Sequence, residues 1–386
     1  MPELPRFRGE HKADVVVIGG GLTGCATAYL AASAGFRTVL LERDRIGYGG
    51  TGRSAGLMMP HPDALFRDVA AMHGMRAARR VFEVWRKGAL DGAALLRRLR
   101  VQCYLEPSEA VATSIGDDQR GLRREYASRQ EAGVDVSWLN RTQMLARLRL
   151  DTAGGLRIRG GFILDPYRAC LGLLAESVRR RVACYERSHV RHVRFDRRSA
   201  EVVTEGGTIH TRKVVIATGT VTAEFKQLQR HLERRETYFA STEPVPAAVR
   251  RQLAAPDVVV TDGAVPLTLA WTRDNRLIVA GADQREPPAR LASAVVTQRT
   301  GQLMYELLKR YPAILGLQPE YGWHSVYGRP ADGLMYIGAH RNYPHQLFAV
   351  GGSAVDLTGA FVAARILVRA IREAPEKGDE LFGWTR

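Results

Sequence analysis

Apolar and polar positions along the 386-residue chain alternate between two periods. A Val/Ile-rich run over Ala13–Gly19 ends in glycines, a small-residue stretch to Ser33 has helical spacing, and Thr38–Leu41 is a second short apolar run. Short apolar runs bounded by glycine read as buried strands and longer 3.6-period stretches as helices, so the opening predicts strand, tight turn, helix, strand. Residues 45–59 form a glycine-rich loop, and Pro62–Arg100 shows helical spacing through Leu65, Val69 and Met72, then Val81, Val84, Trp85 and Leu95. At least two helices are expected there. Val101–Thr113 reads as extended, Asp117–Ala132 as a helix, and Asn140 with Gln143 three residues on as the capping box of another.

Beyond Gly160 the elements alternate. Asp165 as N-cap and Pro166 at the first helical position predict a helix reaching about Arg181, followed by strand-like Cys184–Val190. Val190–Phe195 and Glu201–His210, the latter broken by Gly206-Gly207, suggest a meander that delivers the chain to the apolar run Val214–Gly219. Extended segments Thr237–Thr242, Val258–Thr261, Leu267–Thr272 and Leu277–Ala280 predict an antiparallel sheet. A helix over Ala292–Arg310, short strands at Met335–Ile337 and Leu347–Val350, and a closing helix over Leu357–Glu373 complete the pattern.

Length allows two to three domains, and 45% hydrophobic with 25% charged residues excludes a disordered or collagen-like chain. Cys25, Cys103, Cys170 and Cys184 show no C-x-x-C spacing, so neither a zinc site nor a disulfide framework is expected, nor any other metal site. A reducing cytoplasm suits four such thiols. The apolar stretch Val15–Ala34 is interrupted by four glycines, so no membrane span and no export signal are expected. The charge is unusual: 56 basic against 40 acidic residues gives +16, and since six of the basic residues are lysine, 50 are arginine. The densest clusters, Arg76–Arg100 and Arg179–Arg198, also carry acids such as Glu83, Asp91, Glu186 and Asp196. They read as solvated faces of ordinary elements, with attraction of nucleic acid or another polyanion as the alternative.

Gly19-x-Gly21-x-x-Gly24 directly follows a predicted strand and opens a helix. The first glycine permits the turn, the second lets backbone approach a pyrophosphate, and the third lets helix and strand pack closely, while free helix N–H groups face the phosphates. Glu42 ends the second strand 18 residues after Gly24, where a carboxylate can accept hydrogen bonds from the adenosine ribose. NAD and FAD both fit this loop.

Later segments point to FAD. Arg45–Gly56 resembles the loop after the second strand in flavoenzymes of the D-amino acid oxidase, glycine oxidase and sarcosine oxidase superfamily. Val214–Gly219 resembles their second FAD strand, and Asp332–Gly338 through Leu347–Gly352 their closing FAD segment. The resemblance implies an α/β fold in which a Rossmann-like FAD-binding domain (1–89, 159–236 and 334–386) is interleaved with an α+β substrate domain built on an antiparallel sheet (90–158 and 237–333). It also implies non-covalent FAD, held at Gly19, Gly21, Leu22, Thr23 and Gly24 by the pyrophosphate, and at Glu42 and Arg43 by the ribose. Thr51, Gly52, Arg53 and Ser54 would serve the phosphates and the flavin edge, Val190 the adenine, and Ala217, Thr218 and Gly219 the pyrophosphate side. Gly338, Gly351, Gly352, Leu357 and Thr358 would lie toward the isoalloxazine, with the last helix aiming its N-terminus at the flavin. The implied reaction is oxidation of a C–N bond in a small amine or amino acid: hydride passes to flavin N5, water hydrolyses the imine, and dioxygen or another acceptor reoxidises the flavin.

The sequence departs from its relatives near the flavin. Where many have a run of glycines ending in Met-Thr, this chain reads Gly352-Ser-Ala-Val-Asp356-Leu-Thr358, so Asp356 either caps the last helix or places a carboxylate beside the ring. The arginine that pairs with the substrate carboxylate in glycine-oxidase-like relatives is replaced, counting from Trp323, by Tyr327, with Arg329 two residues later. His324 is a candidate acid/base, and Met58, Tyr238, Trp271 and Tyr336 are candidate cavity walls. Two rival readings remain open: a flavin enzyme acting on a modified tRNA base, favoured by the +16 charge, and a flavin-binding protein without redox turnover, favoured by the altered 352–358 segment.

Overall fold

The computed structural model describes residues 3–114, 119–196, 199–263 and 266–386. Among these residues three sheets form. The central one is parallel in the order Tyr343–Val350, Lys213–Gly219, Val15–Ile18, Thr38–Leu41, Ala183–Tyr185, with Tyr336–His340 added antiparallel at one edge. Its central strands read VVVI, TVLL and VVIA because both faces are covered. Val15 and Val17 point toward helices Leu22–Ser33, Pro166–Arg179 and Thr358–Ile371, while Val16 points toward a four-stranded layer. That layer is made of Gly9–Lys12, Gly207–Thr211, Ala200–Thr204 and Val190–Phe195. Each aliphatic side chain fully buried between the layers contributes about 1.5–3 kcal/mol.

The third sheet runs Pro319–Pro330, Leu232–Thr242, Leu277–Arg285, Leu267–Trp271, Val258–Asp262, Glu106–Thr113, Gly154–Ile163, Leu57–Met58, with Ser137–Asn140 also on Gly154–Ile163. All its pairs are antiparallel except Val258–Asp262 with Glu106–Thr113. Alternation gives it two faces. Tyr238, Ala240, Leu269 and Val279 pack under helix Ala292–Arg310, and Phe239, Ala270 and Ala280 face the opposite way, toward Ala55, Met59 and Ala354.

The punctuation read from the sequence is realised in atoms. Asn140 Oδ1 accepts from Gln143 N at 3.0 Å while Gln143 Oε1 accepts from Asn140 N at 2.9 Å, and Asp165 Oδ1 accepts from Arg168 N at 2.9 Å above Pro166. The expected helix from Asp117 begins at Arg120; Asp117 and Asp118 lie outside the described residues, as do Arg197 and Arg198 of the second basic cluster. Long strands at Gly154–Ile163 and Pro319–Pro330 had no counterpart in the sequence pattern.

Candidate functional site

The strand Val15–Ile18 ends at Gly19, whose φ of +112° only glycine adopts without strain. Helix Leu22–Ser33 then starts without a side-chain cap at Gly21, and a Cβ on Gly24 would stand 1.8 Å from the Gly19 carbonyl oxygen. Strand, turn and helix therefore touch backbone to backbone. Thr51 Oγ1 accepts from Leu22 N at 2.9 Å, and Glu42 accepts from Gly20 N at 2.7 Å and from Asp44 N at 2.8 Å, which fixes the turn. Thr51 takes up the first of the helix N–H groups, and the helix end remains a site of positive potential.

In front of it lies a cavity of about 840 Å³, within the range of cofactor sites. Its walls bring together Gly19, Gly21, Leu22, Thr23, Glu42, Arg43, Thr51, Arg53, Ser54, Val190, Ala217, Thr218, Gly219, Gly351, Gly352 and Leu357. Four residues expected at the cofactor are not on its wall. Gly24 packs behind the loop, and Gly52 closes the turn by donating to Gly47 O at 2.8 Å. Gly338 sits on the edge strand, where its carbonyl accepts from Trp384 Nε1 at 3.2 Å, and the fully buried Thr358 donates its hydroxyl to Met59 O at 2.7 Å. A cavity of this size meeting a helix N-terminus and a glycine cradle fits a dinucleotide.

A second cavity of about 680 Å³ adjoins the first, and Tyr327, Gly352, Ser353 and Asp356 line both. Asp63, Asp283 and Arg329 line only the second. The Tyr327 hydroxyl donates to Asp283 Oδ2 at 2.5 Å, and burial, then the Asp283 charge, raise its pKa. Asp63 is exposed and opens onto the cavity. Desolvation among the cavity walls raises its carboxyl pKa, the Ser353 hydroxyl lowers it, Asp283 raises it, and Arg329 lowers it.

Asp356 is both cap and cavity wall. It accepts from Thr358 N and Met59 N at 2.9 Å each and from Trp85 Nε1 at 2.9 Å. Even so, burial pushes its pKa up to about 7, against the lowering effect of those donors. The folded-state value is above the unfolded one, so this group's contribution is fully present below about pH 4 and is lost as pH rises through about 7. That is up to about 4 kcal/mol of pH-dependent stability. Thermal unfolding at about pH 5 and about pH 8 is expected to show a steeper loss with rising pH in the wild type than in Asp356→Asn; equal slopes would refute it.

His324 and Tyr238 do not join this site. They pair across adjacent strands on the sheet face under helix Ala292–Arg310, so alternation turns them away from Ser325, Tyr327 and Arg329. There His324 Nδ1 lies 2.9 Å from Glu236 Oε1, and the Tyr238 hydroxyl donates to Glu236 Oε2 at 2.5 Å while accepting from Gln284 Nε2 at 2.8 Å. Nor do Met58, Trp271 or Tyr336 line either cavity: Met58 is core, the Trp271 indole donates to Ala254 O at 2.9 Å, and Tyr336 stacks on Trp384. Sequence reasoning missed Asp63, Asp283 and Ser353. A carboxylate placed between a glycine-rich loop and a helix was the one signal for Asp63.

Residues 14–370 match the DAO family model, described as FAD dependent oxidoreductase. Among curated relatives, gamma-glutamylputrescine oxidoreductase of Escherichia coli K12 is 24% identical over 95% of this chain and 85% of its own length. Glycine oxidase of Bacillus subtilis is 24% identical over 93% of this chain and 94% of its own. Among solved structures, glycine oxidase from Geobacillus kaustophilus superposes with a TM-score of 0.79 at 19% identity, covering 97% of this chain and 99% of that one. L-proline dehydrogenase from P. horikoshii gives 0.78 at 16% identity, with 97% of each chain covered. These likenesses carry the fold, and the family match carries the cofactor: the chain belongs to the DAO family of FAD-dependent oxidoreductases.

Proposed function

We propose that the protein oxidises a C–N bond in a small amine or amino acid bound in the second cavity. The observation that supports this most is the meeting of the two cavities at Tyr327, Gly352, Ser353 and Asp356. FAD would be held by Gly19, Gly21, Thr51, Arg53, Ala217–Gly219 and Gly351, and when bound it supplies the hydride acceptor. The chain's own residues position the substrate and control its charge. Arg329 offers a guanidinium to a substrate carboxylate, and Tyr327, fixed by Asp283, stands at the passage between the cavities. Names of relatives such as glycine oxidase and gamma-glutamylputrescine oxidoreductase support an amine or amino acid substrate.

Many arginines pair with acids on the surface, as in Arg37–Asp14, Arg141–Asp151 and Arg234–Glu286, which supports ordinary solvated faces over a dedicated tRNA-binding patch. The division into FAD and substrate domains given above belongs to the same proposal. Three of its four cuts fall within helix Met75–Arg98 and strands Gly154–Ile163 and Leu232–Thr242, so the two parts share continuous elements there. Buried free thiols at all four cysteines favour the cytoplasm, and no helix among the described residues is long and apolar enough to cross a membrane.

Anaerobic addition of amines, N-methyl amino acids, and D- and L-amino acids to the yellow protein is the test. Bleaching by one class is the expected result, and the speed of colour return in air separates oxidase from dehydrogenase. A yellow protein that nothing bleaches would overturn the reading in favour of the tRNA or non-redox alternatives.

A further inference from the structure

We infer that Asp63 binds the substrate's ammonium group and takes its proton, with Arg329 holding the anionic end. This rests on the amine-oxidation reading above and goes beyond it by assigning the proton acceptor.

The other acids around the second cavity already have partners. Glu125 meets Arg129 at 2.7 Å, Asp262 meets Arg310 at 2.6 Å, and Asp332 meets Arg386 at 2.7 Å. Asp283 holds Tyr327 and feels the Arg235 charge, Asp68 faces Arg67 at 3.6 Å, and Asp356 has three N–H donors. Asp63 differs. No arginine or lysine among the described residues approaches it closely enough for a salt bridge, and Arg329 acts on it only at longer range. Ser353, whose hydroxyl lowers the Asp63 pKa, lines the boundary with the cofactor cavity. In a chain with an excess of 16 positive charges, a carboxylate left open beside the cofactor cavity and unmatched by arginine is a cation site.

The chemistry needs such a group. Carbon next to an ammonium is a poor hydride donor, because loss of hydride would place positive charge beside positive charge. Transfer of one N–H proton to an Asp63 carboxylate oxygen breaks that N–H bond, forms an O–H bond, and leaves the nitrogen lone pair free to stabilise the developing cation. No electrons change hands, and the proton returns later to solvent. The groups facing Asp63 tune this transfer: Asp283, Tyr327 and Arg329 from the sheet, Ser353 and Asp356 from the segment before the closing helix, and Arg67 and Asp68 from its own side. Desolvation and Asp283 raise the carboxyl pKa, moving it toward that of the amine it must deprotonate.

Half-ligands separate the two ends. Propylamine carries only the amine and propionate only the carboxylate, and the binding of each is read from the perturbed flavin absorbance of the holoenzyme. Asp63→Asn is expected to weaken propylamine about tenfold or more while leaving propionate unchanged or tighter; Arg329→Gln is expected to do the reverse. For the substrate identified by bleaching, Asp63→Asn is expected to lower kcat/KM about a hundredfold and to remove the acidic inflection of its pH profile, with partial rescue by Asp63→Glu. The inference is overturned if wild type binds no propylamine, if Asp63→Asn binds it normally, or if that variant loses both half-ligands alike. Failure of the amine-oxidation reading looks different: no amine bleaches the wild type, yet propylamine binding still depends on Asp63.

Discussion

Gly24→Ala is expected to purify without its yellow colour. The added Cβ would stand 1.8 Å from the Gly19 carbonyl oxygen and 3.0 Å from its carbon, and both are backbone atoms that no rotamer change can move. Helix Leu22–Ser33 must then tilt away from strand Val15–Ile18, withdrawing its N-terminal N–H groups from the cavity wall where Leu22 and Thr23 now stand. Phosphate binding at such a terminus depends on those groups. A loss of about a hundredfold or more in FAD affinity follows, equivalent to about 2.7 kcal/mol. Flavin content as purified and reconstitution titrations with FAD measure it. Gly301→Ala is the control, because it lies within helix Ala292–Arg310 with open space around it and is expected to be neutral or slightly stabilising. Wild-type flavin content and affinity in Gly24→Ala would refute the role assigned to this packing.

The same loop shows why part of this protein was legible in its sequence. A Val/Ile run, a glycine at positive φ, a close-packed glycine and a carboxylate on the next strand are all local, and their spacing reports one geometry. Capping at Asn140 and Asp165 was legible for the same reason: the signal lies within three residues. Strand Pro319–Pro330 was not legible, because two prolines, two glycines and weak alternation give it little intrinsic preference. It is extended because it pairs with Leu232–Thr242 along its length, from Pro330 opposite Leu232 to Tyr321 opposite Ser241. That non-local pairing also decides the site. Once the strand is known, alternation sends Ser325, Tyr327 and Arg329 one way and His324 the other; without it, His324 and Tyr327 looked equally eligible. Asp63 lies in irregular backbone between the loop and helix Phe66–His73, where no period exists to read.

Arg129→Met is expected to cost about 3–5 kcal/mol of stability, the usual effect of removing one partner from a buried ion pair. Arg129 and Glu125 are 3% and 2% exposed and meet at 2.7 Å, with the guanidinium also lying over the Phe82 ring. Burial lowers the Arg129 pKa and the Glu125 charge raises it. Glu125 has a second task. It accepts from Phe66 N at 2.8 Å and Arg67 N at 3.2 Å, and so caps a helix whose own N-cap, Leu65, has no side chain able to do so. Without Arg129 the carboxylate keeps two backbone donors but loses its counter-charge, and helix Phe66–His73, part of the second cavity's wall, loses a rigid anchor. Denaturant unfolding measures the loss. The double variant Glu125→Gln/Arg129→Met removes the charge and keeps one acceptor oxygen, for the shorter Phe66 N bond, and should recover part of the stability. A single-variant cost below about 1 kcal/mol, or a double variant no better than the single, would show that the pair is solvated in solution and that the cavity wall is held by its apolar contacts instead.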